Sequence, residues 1–353
     1  MTPSLYSGVI SQDIFNRLIL SIVQKHTDPE ATMPYLHQTL LDKEYSVNGT
    51  FASISELVTN FMVDVVATDS KLPLKNREKV ALLNGFLPKM GNKMYFNEQQ
   101  LQDLDAIIAQ TNMPLDDLLA KLFKDADTLI KGGLLRNEFL FLQALSKGKA
   151  NVTDEDNVGV SFECDYQFEN RGYASTAWGT TNATPYTDLA NRVADAMNKG
   201  VVLTKAFMDY KTFTQLMNSA EVKGMFTGIN QLISRRALEE ILLSELGLTV
   251  HVVNRTVTSQ INGVNKTVQA WAEGQITLTT DDKLGKLVWT RTAEFNHRVG
   301  GVMYTDADGG VFLVSKYGKN DPVAEFTAIQ GRCLPVLANV QNIYTLDTTK
   351  TSA

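Results

Sequence analysis

Cysteine and histidine are scarce in this sequence. Its 353 residues include two cysteines, Cys164 and Cys333, and four histidines. The cysteines lie far apart and no CxxC is present, which argues against a disulfide framework. The histidines show neither HExxH nor a paired zinc spacing. We therefore expect two buried, reduced cysteines and no metal site.

An excess of basic residues is also missing. The chain carries 33 Lys and Arg against 39 Asp and Glu, for a net charge of −6. Broad charge-driven binding of nucleic acid needs a basic face, so this composition argues against it. No run of about 18 apolar residues occurs, and MTPSLYSGVISQDIF lacks the pattern of a signal peptide. We expect a globular chain without a membrane span, long enough for two or more domains.

Signatures of nucleotide binding and hydrolysis are absent as well. The sequence contains no GxGxxG, no Walker-type loop and no GxSxG. The segment Asp306-Ala-Asp308-Gly309-Gly310 resembles a calcium loop, but Tyr317 occupies the twelfth position, where a bidentate Glu is required. We expect a Gly-rich turn between strands there, and a packed or hydrogen-bonded His251 in an apolar strand. No cofactor and no catalytic residue are predicted.

Two amphipathic helices are predicted in the first half of the chain. Residues 11–25 place apolar side chains on one helical face, with Ser11 as the N-cap. A second helix begins at Pro114, and if it reaches Lys147 it is about 50 Å long at 1.5 Å per residue. Gly132-Gly133 interrupts its pattern, which predicts a bend or a break.

The second half alternates between helical and strand patterns, which indicates an α+β fold. Residues 185–254 are predicted to form helix, strand, helix, helix and strand, with Asp209 capping one helix and Gly247 ending another. Asn262-Gly263 between alternating residues predicts a β-hairpin. Further strands are predicted at 61–67, 158–164, 201–208, 248–254, 286–295 and 310–317.

The segment 71–93 combines basic and apolar residues without a regular pattern. Its six basic residues are Lys71, Lys75, Arg77, Lys79, Lys89 and Lys93. Such a long apolar connection is unusual within a compact domain. It is either a β-hairpin or a solvated loop, or a projecting arm whose apolar residues are buried by another subunit. The residues that follow, 98–127, are predominantly acidic.

The C-terminal stretch 321–348 places two carboxylates four residues apart. In a strand, Asp321 and Glu325 would share a face with Val323. Two carboxylates alone specify no reaction, and the sequence supplies no base, metal or nucleophile beside them. We therefore expect a structural strand rather than a catalytic site.

This stretch resembles the C-terminal signature of tailed-phage major capsid proteins, in the family that includes the lambda major capsid protein. The pattern is Asp321-Pro322-x-x-Glu325-Phe326-Thr327-x-Ile329-Gln330, followed by Pro335. The strand, Asp209 and helix of Val201–Met217 are similar to that family too, as are the acidic strand and lone Trp of Phe162–Trp178. The similarity covers roughly 150–348; before residue 150 it is one of layout.

The resemblance implies the Hong Kong 97-type phage capsid fold, an α+β fold with an N-terminal arm, an E-loop, a long spine helix, a P domain and an A domain. It implies that Glu325, Phe326, Ile329 and Val336 are packing positions of the last strand. The implied ranges are 1–59 for the N-terminal arm, 60–96 for the E-loop, 97–150 for the spine helix region, 151–184 for a P-domain β arm, 185–320 for the A domain and 321–353 for a C-terminal strand returning to the core sheet.

The resemblance also implies a function and partners. Copies of the chain would form the hexamers and pentamers of an icosahedral head, enclosing double-stranded DNA without reading its sequence. A scaffolding protein, a portal and a decoration protein are expected partners, with assembly in the bacterial host cytoplasm and the virion as final location. The alternatives are a soluble α+β hydrolase or carbohydrate-active enzyme, and another virion component such as a tail-tube protein.

Within this interpretation the basic arm 71–93 is expected to contact acidic residues of an adjacent subunit, with 98–127 as a candidate. The expected interface residues are Lys71, Lys75, Arg77, Lys79, Phe86 and Lys89. Some capsids of this fold join subunits through a Lys–Asn isopeptide bond promoted by a Glu. A lysine of the arm, with Asn320 and Glu325, would be the corresponding set.

Overall fold

A computed structural model describes residues 3–6, 10–28, 34–54, 82–110, 115–153, 161–226, 234–261, 264–280 and 283–351. The helices are α1 Gln12–His26, α2 Leu36–Leu40, α3 Glu98–Gln110, α4 Leu115–Lys147, α5 Pro185–Asn198, α6 Tyr210–Asn218, α7 Ala220–Met225, α8 Arg235–Leu246 and α9 Ala293–Asn296.

The strands lie within the same described residues. They are β1 Leu41–Tyr45, β2 Thr50–Ile54, β3 Leu82–Phe86, β4 Lys89–Phe96, β5 Lys149–Thr153, β6 Ser161–Asp165, β7 Asn170–Ala174, β8 Lys205–Met208, β9 Thr249–Val252, β10 Thr256–Ile261, β11 Val264–Gln269, β12 Gln275–Thr279, β13 Gly285–Thr290, β14 Met303–Ala307, β15 Phe312–Asn320, β16 Val323–Leu337 and β17 Tyr344–Thr351.

The chain divides into two compact units. The first comprises Met1–Phe51, Gly85–Phe141 and Lys286–Val336, and the second comprises Ala52–Asn84, Leu142–Gly285 and Leu337–Ala353. The strands β13, β14 and β15 pair within the sheet of the first unit, so residues 286–320 belong to a different unit from the rest of the predicted A-domain range 185–320. The named domain boundaries stay predictions.

The first unit is built on a six-stranded sheet. Its strand order is β1-β13-β16-β15-β14, and β4 also pairs with β16. Helix α1 packs on β14 and buries Phe15, Ile19 and Val23. Its N-terminus is set by Ser11, whose side chain accepts a hydrogen bond from the backbone N–H of Ile14. The helix predicted at 11–25 is therefore confirmed.

A bend or a break was predicted at Gly132-Gly133; helix α4 runs through both residues without interruption, so the break is wrong and the bend stays a prediction. The physical reason is packing. A Cβ on Gly133 would lie 3.0 to 3.2 Å from three atoms of the Phe312 ring, whereas a Cβ on Gly132 would meet nothing within 4 Å. Gly133 thus allows the helix to approach the ring of Phe312, and helix propensity alone does not reveal this.

The second unit contains a five-stranded sheet with the order β7-β17-β12-β8-β9. Its core joins residues of these strands to α5, α6 and α8, including Leu189, Phe213, Leu242 and Tyr344. Local signals explain its helix ends. Pro185 opens α5, Asp209 accepts from the backbone N–H of Thr212 to cap α6, and Gly247 adopts a left-handed φ of 69° after α8.

The predicted hairpin is confirmed, since β10 and β11 pair antiparallel with Ile261 opposite Val264. Two predicted strands are shorter than expected. Only Lys205–Met208 is a strand within 201–208, and 286–295 contains β13 followed by α9, because Ala293 and Glu294 favour a helical turn after Thr292. The strand predicted at 61–67 lies outside the described residues.

Candidate functional site

Most of the predicted contact arm lies outside the described residues. This holds for Lys71, Lys75, Arg77 and Lys79. Phe86, at the end of β3, exposes 74% of its surface, although it is a large aromatic residue. Lys89, at the start of β4, is half exposed, and its Nζ lies 2.7 Å from Oε1 of Glu294 in the same unit. Phe86 is therefore available to a partner, whereas Lys89 already has a carboxylate beside it.

Strand β4 pairs antiparallel with β16, and most of its residues are exposed. Its register with β16 places Tyr95 opposite Phe326, and the register of β15 places Tyr317 opposite Phe326 on the other side. The three rings stack, with centroids 5.4 Å apart in each pair. Lys93 adds its ammonium 5.6 Å from the ring of Phe326. We call this side of the sheet, with Tyr95, Phe326, Tyr317 and Lys93, the aromatic face.

We did not predict the aromatic face from the sequence. Tyr95 is 58% exposed, and Phe326 and Tyr317 are only partly buried. The available signal was the alternation of β16, in which Glu325, Thr327 and Ile329 are buried while Phe326 between them is not. Phe326 and Ile329 therefore project to opposite sides of the strand.

The other side of β16 contributes to the core of the first unit. Ile329 and Val336 are buried there, and the Sγ of the buried Cys333 donates to Oδ1 of Asn137 on α4 at 3.3 Å. Burial raises the pKa of the Cys333 thiol to about 12. Cys333 and Cys164 are both buried free thiols, as predicted.

Glu325, at the start of β16, is a completely buried carboxylate. The hydroxyl of Ser4 donates to its Oε1, and the backbone N–H of Leu5 donates to its Oε2 at 3.0 Å. Nζ of Lys316, on β15, lies 3.8 Å from Oε1. Ser4 and Leu5 lie more than 300 residues before Glu325, so sequence spacing gives no signal for their contact.

Lys316 is buried as completely as Glu325. Its ammonium lies 5.9 Å and 6.0 Å from the ring centroids of Phe96 and Phe123 and donates to Oγ1 of Thr327 at 3.3 Å. Burial lowers the pKa of Lys316, while the charges of Glu325 and Asp125 act in the opposite direction. The rings of Phe96 and Phe123 and the carboxylate of Glu325 together offset the cost of burying a charged lysine.

Asp321 does not join this arrangement. It is exposed in the turn between β15 and β16, before a cis proline, and precedes the first residue of β16. The expectation that it shares a strand face with Glu325 is therefore wrong, because Pro322 places the turn ahead of the strand. An acid pair of the kind that enzymes use is not formed by these two residues.

The other sequence candidates have structural surroundings. Asp308 lies in a turn between β14 and β15, as expected, and its carboxylate lies 2.7 Å from Nζ of Lys43. His251 stacks on Phe207 with ring centroids 5.0 Å apart. Within the described ranges, no cluster of His, Cys, Asp and Glu could hold a metal ion. Within those ranges, too, no helix is both long and apolar enough to cross a membrane.

Comparison with known proteins places the chain among phage proteins. The family model of phage major capsid protein E matches residues 23–348. A solved structure of a protein assigned as the capsid protein of a prophage of E. coli CFT073 superposes with a TM-score of 0.58 at 16% identity, covering 94% of this chain and 98% of the other. A phage-related protein from Bordetella bronchiseptica RB50 gives a TM-score of 0.53 at 11% identity, with 94% and 97% covered. The curated proteins include no match.

Proposed function

Since the chain belongs to the phage major capsid protein E family and is a major capsid protein, we propose that its copies assemble into the hexamers and pentamers of an icosahedral head around double-stranded DNA. The family match over 23–348 carries this proposal. The similar solved structures bear out the predicted Hong Kong 97-type fold. A capsid protein is a structural component of the virion, which sets the enzyme and tail-tube alternatives aside.

Exposed apolar side chains support assembly as the means by which the protein works. Phe86 and Tyr95 expose more than half of their surface, and Val264 on the β10–β11 hairpin is 68% exposed. Phe86 and Tyr95 belong to the first unit and Val264 to the second, so each unit has large apolar side chains that another protein could cover. We propose that the aromatic face and Phe86 are covered by neighbouring copies in the shell.

The basic arm 71–93 provides a specific candidate contact between adjacent subunits. We propose that Lys71, Lys75, Arg77 and Lys79 lie near acidic residues of an adjacent subunit, with 98–127 as the candidate region. Exposed ion pairs contribute only about 0–1 kcal/mol each, so apolar burial would supply the affinity and charge would set the register. Lys89 contributes less to this contact, since Glu294 already neutralises it.

Charge reversal tests this contact. The variant Lys75→Glu, Arg77→Glu, Lys79→Glu should fold but fail to form shells, as seen by electron microscopy and sedimentation of the overexpressed protein. The matched variant Lys75→Arg, Arg77→Lys, Lys79→Arg keeps the charges and should assemble normally. Normal assembly of the reversed variant would refute the charge contact without affecting the assignment as a capsid protein.

The remaining partners follow from assembly of a phage head. We propose a separate scaffolding protein, a portal and a decoration protein, with assembly in the host cytoplasm. Co-expression with candidate genes, followed by purification of particles, tests each of them. A covalent Lys–Asn320 bond stays a prediction; Glu325, the acid that would promote it, is buried and accepts from Ser4 and Leu5. Monomer bands from mature particles on a denaturing gel would exclude the cross-link.

A further inference from the structure

We infer that Glu325 is a docking site for the chain's own N-terminal segment, residues 3–6, which it holds through Ser4 and Leu5. This role goes beyond shell formation and assigns a task to the acid of the C-terminal signature. The hydroxyl of Ser4 and the backbone N–H of Leu5 occupy different oxygens of the carboxylate. A carboxylate at this depth is stable only if its oxygens are hydrogen bonded, so the N-terminal segment satisfies a requirement of the core.

The distances show that the carboxylate is directed at the N-terminal segment more than at the buried lysine. Lys316 Nζ is 3.8 Å from Oε1 of Glu325, longer than a hydrogen bond, and is closer to Oγ1 of Thr327 at 3.3 Å. Glu325 accepts hydrogen bonds from Ser4 and Leu5. Lys316 supplies a compensating charge, whereas the N-terminal residues supply the hydrogen bonds.

The contacts of the neighbouring residues extend the docking site along the segment. Pro3 packs against Gly301, where a Cβ would come within 2.7 Å of the proline ring. Tyr6 is buried, and its hydroxyl donates to Oδ1 of Asp105 at 3.4 Å. The side chain of Leu5 is exposed, so only its backbone is recognised. The side-chain contacts of the docked segment therefore come from Pro3, Ser4 and Tyr6.

Hydrogen exchange of the full-length protein tests this inference. Ser4→Ala removes the hydroxyl donor, and Leu5→Ala is the matched control because it removes an exposed side chain and keeps the N–H. A hydrogen bond to a charged group corresponds to a ten- to about hundredfold change in equilibrium. The amides of residues 4–6 should exchange at least tenfold faster in Ser4→Ala and at the wild-type rate in Leu5→Ala.

A second variant and a concentration series complete the test. Glu325→Gln removes the charge and should release the same amides, while the amides of β14, in the same unit, report that this unit is still folded. Equal exchange in wild type, Ser4→Ala and Glu325→Gln would overturn the inference. Protection of residues 3–6 that rises with protein concentration would also overturn it, because the segment would then dock on another copy.

Discussion

Alanine substitution at the two adjacent glycines of α4 should stabilise the protein at Gly132 but not at Gly133. Replacing glycine by alanine within a helix gains about 0.8–1 kcal/mol. Gly132 has room for a methyl group, with nothing within 4 Å of a Cβ, so Gly132→Ala should realise this full gain. At Gly133 the same methyl group would lie 3.0 Å from the buried ring of Phe312. Overpacking of a core costs about 1–3 kcal/mol, so Gly133→Ala should be neutral to about 2 kcal/mol less stable.

Thermal unfolding followed by circular dichroism, at a concentration too low for assembly, measures both effects. For a unit of this size, 1 kcal/mol shifts Tm by about 2–4 °C. We expect a small rise in Tm for Gly132→Ala and a fall, or no change, for Gly133→Ala. Equal stabilisation by both substitutions would refute the reasoning, because it would mean that the Phe312 ring does not pack on Gly133 and that the helix was limited there by propensity alone.

Two further predictions concern the second unit. Asp188 accepts a hydrogen bond from the indole N–H of the buried Trp178 at 2.9 Å, so Asp188→Ala should lower the free energy of unfolding by about 1–3 kcal/mol. The control Asp195→Ala removes an exposed carboxylate of the same helix and should lower it by at most about 1 kcal/mol. Urea unfolding followed by tryptophan fluorescence measures both. Equal losses would contradict the role of Asp188. The pKa of His251 is lowered, first by burial and then by Lys205, so the unfolded chain binds the proton more readily and stability falls as pH drops below about 6.5. His251→Phe should reduce this fall in denaturation experiments between pH 7 and 5, and an unchanged slope would show that His251 does not contribute to it.

Local features of the sequence predicted the local features of the fold. Ser11, Asp209 and Gly247 each determine a helix end through their own hydrogen bonds or backbone angles, and the Asn262-Gly263 pattern predicted the pairing of β10 with β11. These signals act within a few residues, so a single sequence is enough to recognise them.

Contacts between distant residues could not be predicted in this way. The sequence singled out Glu325 but gave no reason to connect it with Ser4, since that contact depends on the arrangement of the whole first unit. Lysine is usually a surface residue, yet Lys316 is buried near the rings of Phe96 and Phe123. The close approach of α4 to Phe312 at Gly133 likewise involves a residue far along the chain.

The aromatic face was only partly predictable from the sequence. The alternation of β16 separates Phe326 from Glu325 and Ile329, and it could have been read from the sequence. The pairing that stacks Phe326 between Tyr95 and Tyr317 depends on strand order, which a single sequence does not supply.

We propose that this chain covers its exposed apolar surface with copies of itself. Electron microscopy of the purified full-length protein, expressed with and without the other head genes of its phage, tests this proposal. We expect hexamers, pentamers or closed shells. A protein that remains monomeric under every such condition would contradict it.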